Sequence, residues 1–496
     1  MRTLLLPAAR RSPAWLEALR RASCAVLIAG SLDAAAAVTI VVDDGSDSAS
    51  CAAGSYTLRC AIIYANAHPF TNIRFAPGLP AVLLDGSLPT ITGNGTWIDG
   101  HDVSNGCVCP RIDGAFWSGP TGDALTINAN DVTISKINIV RIPSDSLDNA
   151  DIHIVGGKDN TIADDYLGIL PGAVQCAGKD AAAGVSITGD RSGAAGDFGG
   201  VAYIYGSTIG CHQLAGVYAL NSNFVTVGTG STGTISGNVI GIAPDGIHAA
   251  GNGTGVYADH QADNMTIRNN RIGHSSLFGV YSSTAGSTSI LYNEISNNAS
   301  AGVEFLYGDS NTVIGNKIGT TSDGLAGAPN GGAGISFNYA GTGNFVSDNL
   351  VAYNAGPGIV VADQSHVLIE VNDIYANNGL PIDLGNDGFS PNGLHLPPGP
   401  NDWLPYPVIT GAVENLITGS KCQNCGVYVF TAIADPSRPG GGGKYLQNVP
   451  VDGNSVWSTL LPAGMTRDDI ALTAVGGAYD SSEMSPRDSI FRNGFE

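Results

Sequence analysis

A right-handed parallel β-helix followed by a small antiparallel β-sandwich is the all-β fold this sequence predicts, on three observations. The first is a repeat. Six times between residues 216 and 372 the chain writes Gly, an apolar pair, a polar turn, then Asn-x-Ile or Asn-x-Val. The Gly anchors are Gly216, Gly255, Gly279, Gly302, Gly334 and Gly358, and the Asn anchors are Asn238, Asn270, Asn293, Asn316, Asn349 and Asn372. Successive Gly anchors lie 23 or 24 residues apart wherever no insertion intervenes, a period that signals a solenoid. The second is the texture inside each period. Bursts such as Gly279-Val280-Tyr281, Ser289-Ile290-Leu291-Tyr292 and Asn293-Glu294-Ile295 are short, β-branched or aromatic, and bounded by turn residues. Such bursts read as three strands per coil, without the 3.6-residue period a helix needs or the Leu framework of a leucine-rich repeat. The third is composition, with 68 Gly and only 13% charged residues.

The elements follow in chain order. In residues 1–37, Arg2, Arg10, Arg11, Arg20 and Arg21 precede an Ala-rich apolar stretch ending at Ala37, which reads as a signal peptide. Residues 38–124 form the N-terminal cap and first coils. Within them Leu58, Ala61, Ile62 and Ala65 at helical spacing predict one short amphipathic helix that blunts the open end. Residues 125–407 form the β-helix, with ten or eleven coils stacked at roughly 4.8 Å and a rod on the order of 50 Å long. Its closing run, 380–407, is rich in Pro, Gly, Asp and Asn and is expected to be strandless. Beyond it, Gly426–Phe430, Val456–Leu460 and Ile470–Val475 are longer alternating strands that predict an Ig-like β-sandwich over 408–486, with a tail at 487–496.

The Asn anchors are read as an internal ladder of stacked amides rather than a binding row. Tyr218, Tyr257 and Tyr281 follow the Gly-Val pair in three coils and are read as one stacked face.

The net charge of −21 becomes −24 once a leader with five Arg and two acids is removed. A surface this acidic repels nucleic acid and anionic lipid and favours cations, neutral glycans or basic surfaces. Outside the leader the Cys count is even, which in an exported chain predicts disulfides. Cys51–Cys60 and Cys422–Cys425 are the local pairs and Cys176–Cys211 a cross-link between coils; Cys107 and Cys109 stay unassigned. No stretch after the leader is apolar and long enough to span a bilayer.

Three segments together resemble a family of exported bacterial right-handed β-helix proteins with a pectin-lyase-like fold. The first is Cys51…Tyr56-Thr57-Leu58-Arg59-Cys60-Ala61-Ile62…Ala65-Asn66, similar to the Cys-Ser/Thr-Leu-Arg-Glu-Ala-Ile cap motif. The second is the pair of loops Ile240-Gly241…Asn252-Gly253 and Ile318-Gly319…Asn330-Gly331. The third is Gly379–Gly385 with Ala471–Ala474 and Ser481-Ser482-Glu483, which resembles the closing motif and trailing sandwich. Tyr56 and Cys60 depart from the motif's Cys and Glu. The resemblance implies fold, export and a surface or extracellular role; it carries no catalytic set.

A glycosidase needs two carboxyl groups across a groove. The adjacent Asp164 and Asp165 are the catalytic suspects, although aligning Asn160–Gly168 with Asn311–Gly319 puts Asp165 on the ladder row and Asp164 in a turn. Thr96–His101 is superficially similar to the pectate-lyase Trp-Ile-Asp-His signature, but Gly100 interrupts it. No cofactor is expected; Asp383, Asn386 and Asp387 are candidate calcium ligands at the closing loop. The functional expectation is a secreted or cell-surface monomer that contacts glycans without turning them over. The alternative is a polysaccharide lyase or glycoside hydrolase working in a lateral groove.

Overall fold

The structure is a computed structural model. It describes residues 38–51, 54–101, 110–144, 149–178, 180–189, 201–229, 237–395, 397–432, 442–451, 453–476 and 480–485. The expected leader (1–37), Cys107, Cys109 and the tail (487–496) lie outside the described residues.

Three parallel sheets of 12, 11 and 10 strands run the length of the solenoid, and each coil contributes one strand to each. The first sheet runs from Thr39–Val42 to Val367–Glu370, the second from Val82–Leu83 to Asp373–Tyr375, the third from Leu125–Asn128 to Ile382–Leu384. Register explains the β-branched bursts. In the first sheet Ile98, Ile134, Ile162, Ile204, Val227 and Ile267 lie directly above one another and are all fully buried. Branched side chains at every coil fill the bore with little rotamer entropy to lose. The third sheet adds the stacked pair Phe305 and Phe337, ring centroids 4.8 Å apart.

Asparagines occupy the corners. Between the first and second sheets Asn238, Asn270, Asn293, Asn316 and Asn349 each donate Nδ2–H to Oδ1 of the next anchor, at 2.9–3.0 Å. Each also passes its backbone N–H to the same oxygen, so Asn372 closes a continuous chain of bonds. Two further ladders went unread in the sequence. Asn298, Asn330, Asn354 and Asn377 stack between the second and third sheets, and Asn311 and Asn344 between the third and first. The second ladder accounts for the Gly anchors. A Cβ on Gly302 would sit 2.7 Å from Ile318 Cγ2, 2.8 Å from the Gly334 carbonyl and 2.9 Å from Asn330 Nδ2. The anchors are Gly because sheet and ladder meet there.

Helix α1, Leu58–Ala67, covers the N-terminal end. Thr57 caps it by accepting the Cys60 N–H, and Leu58, Ala61, Ile62 and Ala65 are buried. Cys60 is bonded to Cys51, Cys176 to Cys211 and Cys422 to Cys425.

The closing run corrects one expectation: it is not strandless, because Ile382–Leu384 forms the last strand of the third sheet. Ile382 and Leu384 alternate about Asp383 and continue the buried columns begun by Ile359 and Val361, which the neighbouring Gly and Pro hid. Two three-stranded antiparallel sheets follow, Val408–Val413/Leu416–Ser420/Val456–Leu460 and Tyr445–Val449/Cys425–Thr431/Ile470–Gly476. Ile409, Ile417, Val427, Val429 and Trp457 lie in the core between them.

All three sheet edges at this end are met by residues of the sandwich. Ser481 Oγ bonds both the N–H and the carbonyl of Ile369 in the first sheet. Ile374 N–H in the second donates to the Gly443 carbonyl at 3.0 Å, and Leu384 N–H in the third to Glu483 Oε1 at 3.2 Å. Edge N–H groups that would otherwise recruit another chain are thereby satisfied.

Candidate functional site

Asp164 and Asp165 do not share a groove. Asp164 takes a positive φ of 58° at the turn. Asp165 is buried on the first ladder row, where Oδ1 accepts the Ile137 N–H at 2.9 Å and its own N–H donates to Ser207 Oγ at 3.1 Å. Its Oδ2 is buried without a hydrogen-bond partner. Burial pushes this carboxyl well above the usual carboxylate range. Asp165 is thereby closed off from solvent.

A second buried acid cluster sits one corner away. Asp180 occupies the second ladder row and accepts the N–H groups of Arg141 and Ile142, each at 2.6 Å. His212, next on the row, donates its backbone N–H and Nδ1–H to Asn252 Oδ1, since Asn252 Nδ2 is committed to the Ile209 carbonyl. Nε2 lies 3.0 Å from Asp151 Oδ2, and neither side chain is exposed. Asp151 stands in the Gly-anchor column, opposite Gly184. Burial pushes Asp151 well up, and burial together with the Asp151 charge pushes Asp180 up to about 7.

The calcium candidates form a turn. Asp383 closes the turn, its Oδ1 accepting the Gly388 N–H at 3.3 Å. Burial pushes it up. Asp387 is exposed beside it, with Oδ2 4.0 Å from His395 Nε2. A different group, at the junction with the sandwich, has no motif that marks it in the sequence. His366 Nδ1 lies 2.8 Å from Asp480 Oδ1, and the donor atoms of both fall within 4.8 Å of Asp402. The His–Asp bond ties the last coil to the sandwich.

An aromatic row lies on the outer face of the third sheet, half-buried at Tyr257, Tyr281 and Glu304 and buried at Tyr218 and Asp259. Tyr218, Tyr257 and Tyr281 stand opposite one another in adjacent coils. Their ring centroids are 5.2 and 4.9 Å apart, and Phe278 stacks on Tyr281 at 4.9 Å. The same column continues into Glu304 and Ser336. Two residues after Tyr257 on the same side is Asp259, which accepts the Tyr218 hydroxyl at 3.3 Å. Burial, with the Asp259 charge and hydrogen bond, drives the Tyr257 hydroxyl above its usual range. Burial raises the Tyr281 hydroxyl, a hydrogen bond with Ser283 opposes the rise, and the charges of Glu304 and Asp259 add to it. Burial also raises Glu304, which Asn338 Nδ2 hydrogen-bonds.

Glu304 was legible in principle. Aligned on the anchors, Gly302-Val303-Glu304 falls on Gly279-Val280-Tyr281. Asp259 shares the face by the two-residue strand period.

The profile of the family described as the right handed beta helix region matches residues 223–389. No curated protein matches the chain. Among solved structures, the chain is similar to the periplasmic alginate epimerase AlgG at 11% identity, covering 63% of this chain and 73% of that one, TM-score 0.37. It is also similar to the Azotobacter vinelandii mannuronan C-5 epimerase AlgE4 A-module, at 16% identity over 63% and 86%, TM-score 0.35. The Dettilon tailspike protein aligns at 10% identity over 90% and 86%, TM-score 0.34. Repeat, register and profile agree that this chain is a right-handed parallel β-helix with trailing antiparallel sheets.

Proposed function

We propose that this protein is an exported rod that binds a polysaccharide along the outer face of its third sheet without cleaving it. The observation that carries the reading is the row Tyr218, Tyr257, Tyr281, one ring per coil in strict register, of which Tyr257 and Tyr281 are part-exposed and the buried Tyr218 backs Tyr257. Sugar rings present C–H faces that pack on aromatic faces, and the flanking hydroxyl, amide and carboxyl groups of Asp259, Glu304 and Asn338 supply bonds to sugar hydroxyls. Three disulfides fit an oxidising compartment, and among the described residues no helix is long and apolar enough to cross a membrane.

The test is binding of the purified chain to a panel of neutral, acidic and basic glycans. Tyr257→Ala is expected to weaken the best ligand by about tenfold, the scale of one aromatic contact. Binding that ignores this substitution would move the site elsewhere.

One observation favours a second reading. Glu304, an acid raised by burial, lies one coil beyond Tyr281 and Asp259 one coil before it on the same face, and a raised acid with a second carboxyl along the row is equipment a glycosidase uses. Reducing-sugar release that Glu304→Gln abolishes would replace the binding role with catalysis.

A further inference from the structure

The corner that follows the third sheet puts one residue of each coil in left-handed backbone. Down this column run His260, Thr284, Tyr307, Tyr339, Asp363 and Asn386, all at φ between 43° and 57°. Small polar residues tolerate that conformation; a tyrosine does so at a cost. Here two consecutive coils carry Tyr, with both rings turned outward, 51% and 55% exposed. The rings stack with centroids 5.2 Å apart and planes 19° from parallel. Neither contributes to the buried core.

Tyr339 is shared by two adjoining hollows. One is lined by Tyr307, Tyr339 and Asp309. The other is lined by Tyr339, Asp363, Asp387 and Trp403, whose indole is packed against Gly385 and Gly399 and stacked on His395 with centroids 4.1 Å apart. Aromatic faces and carboxylates thus alternate across three coil steps, about 14 Å at the usual strand spacing and roughly three hexose units. Asp309, Asp363 and Asp387 are exposed, and Asp363 hydrogen-bonds the Tyr339 hydroxyl. The described lining contains no Lys or Arg. The chain as a whole carries −21.

We propose that this corner groove is a subsite for a cationic glycan, an amino-sugar polymer with free ammonium groups. Tyr307 and Tyr339 stack on its rings, and Asp309, Asp363 and Asp387 pair with its charges. An anionic polymer is repelled along the same line. The inference rests on the glycan-binding reading above and names the ligand class that reading leaves open.

The test is titration calorimetry of the full chain at mildly acidic pH with a glucosamine oligosaccharide, its fully N-acetylated counterpart and an oligogalacturonate. The glucosamine oligomer should bind at least about tenfold more tightly than the acetylated one, weaken with added salt, and the galacturonate should not bind. Tyr339→Ala, and independently Tyr307→Ala, should each cost about tenfold. Asp363→Asn should narrow the preference for the free amine while leaving the acetylated oligomer unchanged. Both tyrosines are exposed, and a melting curve matching the parent confirms that each variant folds. Equal affinity for the two glucosamine oligomers overturns the proposal. So does glucosamine binding that Tyr257→Ala removes and Tyr339→Ala does not, a result that leaves the third-sheet reading standing. No glycan binding by the parent chain overturns both.

Discussion

Asp165 shows what one oxygen-for-nitrogen exchange does inside a ladder. Every asparagine in the row offers Oδ1 to one coil and Nδ2–H to its neighbours; Asp165 keeps the acceptor and leaves Oδ2 buried without a partner. Burial raises this carboxyl well above its unfolded value near 4 and so favours its protonated form in the folded state. The sign follows: a raised carboxyl destabilises the fold increasingly as pH climbs from the unfolded pKa toward the folded one. Asp165→Asn restores the missing donor, which on the ladder's other members reaches a main-chain carbonyl. The variant should gain about 1–3 kcal/mol at pH 8 and less at pH 5, read from urea titrations at both values. A catalytic Asp165 would instead show unchanged stability and lost turnover. The ladder row was legible at this scale because Asn recurs at fixed distance from Gly. The acid cluster of Asp151, Asp180 and His212 was not, since each member replaces a repeat residue with one the pattern does not contain.

Within one coil, the repeat phrase is a packing constraint written in residue types. The Gly anchor, the Ile or Val of the second sheet and the Asn of the second ladder meet in one layer, and each excludes a larger neighbour. Gly302→Ala forces a Cβ within 2.7 Å of Ile318 Cγ2 and should cost about 1–3 kcal/mol by overpacking. Gly86→Ala is the control, since its Cβ meets nothing within 4 Å, and it should melt with the parent. Similar losses from both would rule out packing at the anchor as the cause, since the backbone effect of Gly→Ala alone is stabilising. The three-strand coil was readable because the period survives every substitution. The second and third ladders were hidden because insertions before Asn252 and Asn330 break the count. The last strand, Ile382–Leu384, was hidden for another reason: three residues between Pro381 and Gly385 are too few to show a period.

For the whole chain, buried acids set the direction of its pH dependence. Asp151, Asp165, Asp180, Glu304, Asp383, Asp480 and Glu483 are all raised, in each case chiefly by burial. Asp180 and Glu483 reach about 7. Asp245 and Asp323 are lowered by local hydrogen bonds, but they stand in exposed loops and act only on the acid side. Between pH ~4 and ~7, then, the folded chain binds more protons than the unfolded chain, and stability must fall as pH rises through that window. The growing negative charge of a molecule already at −21 adds repulsion in the same sense. Melting temperature should therefore drop by several degrees from pH 5 to pH 8, opposite to a protein held by ionised salt bridges. Glu483 is the informative position, because its two oxygens take the N–H groups of Leu384 and Ser390 and join the sandwich to the last coil. Glu483→Gln mimics the protonated acid at every pH, so it should flatten the slope, and Asp180→Asn should flatten it further. The readout is the slope rather than the absolute stability, since either amide also loses one acceptor. A melting temperature that stays level or rises toward pH 8 would mean that these carboxyls ionise in the folded state, and that the junction is held by charge instead of by neutral hydrogen bonds.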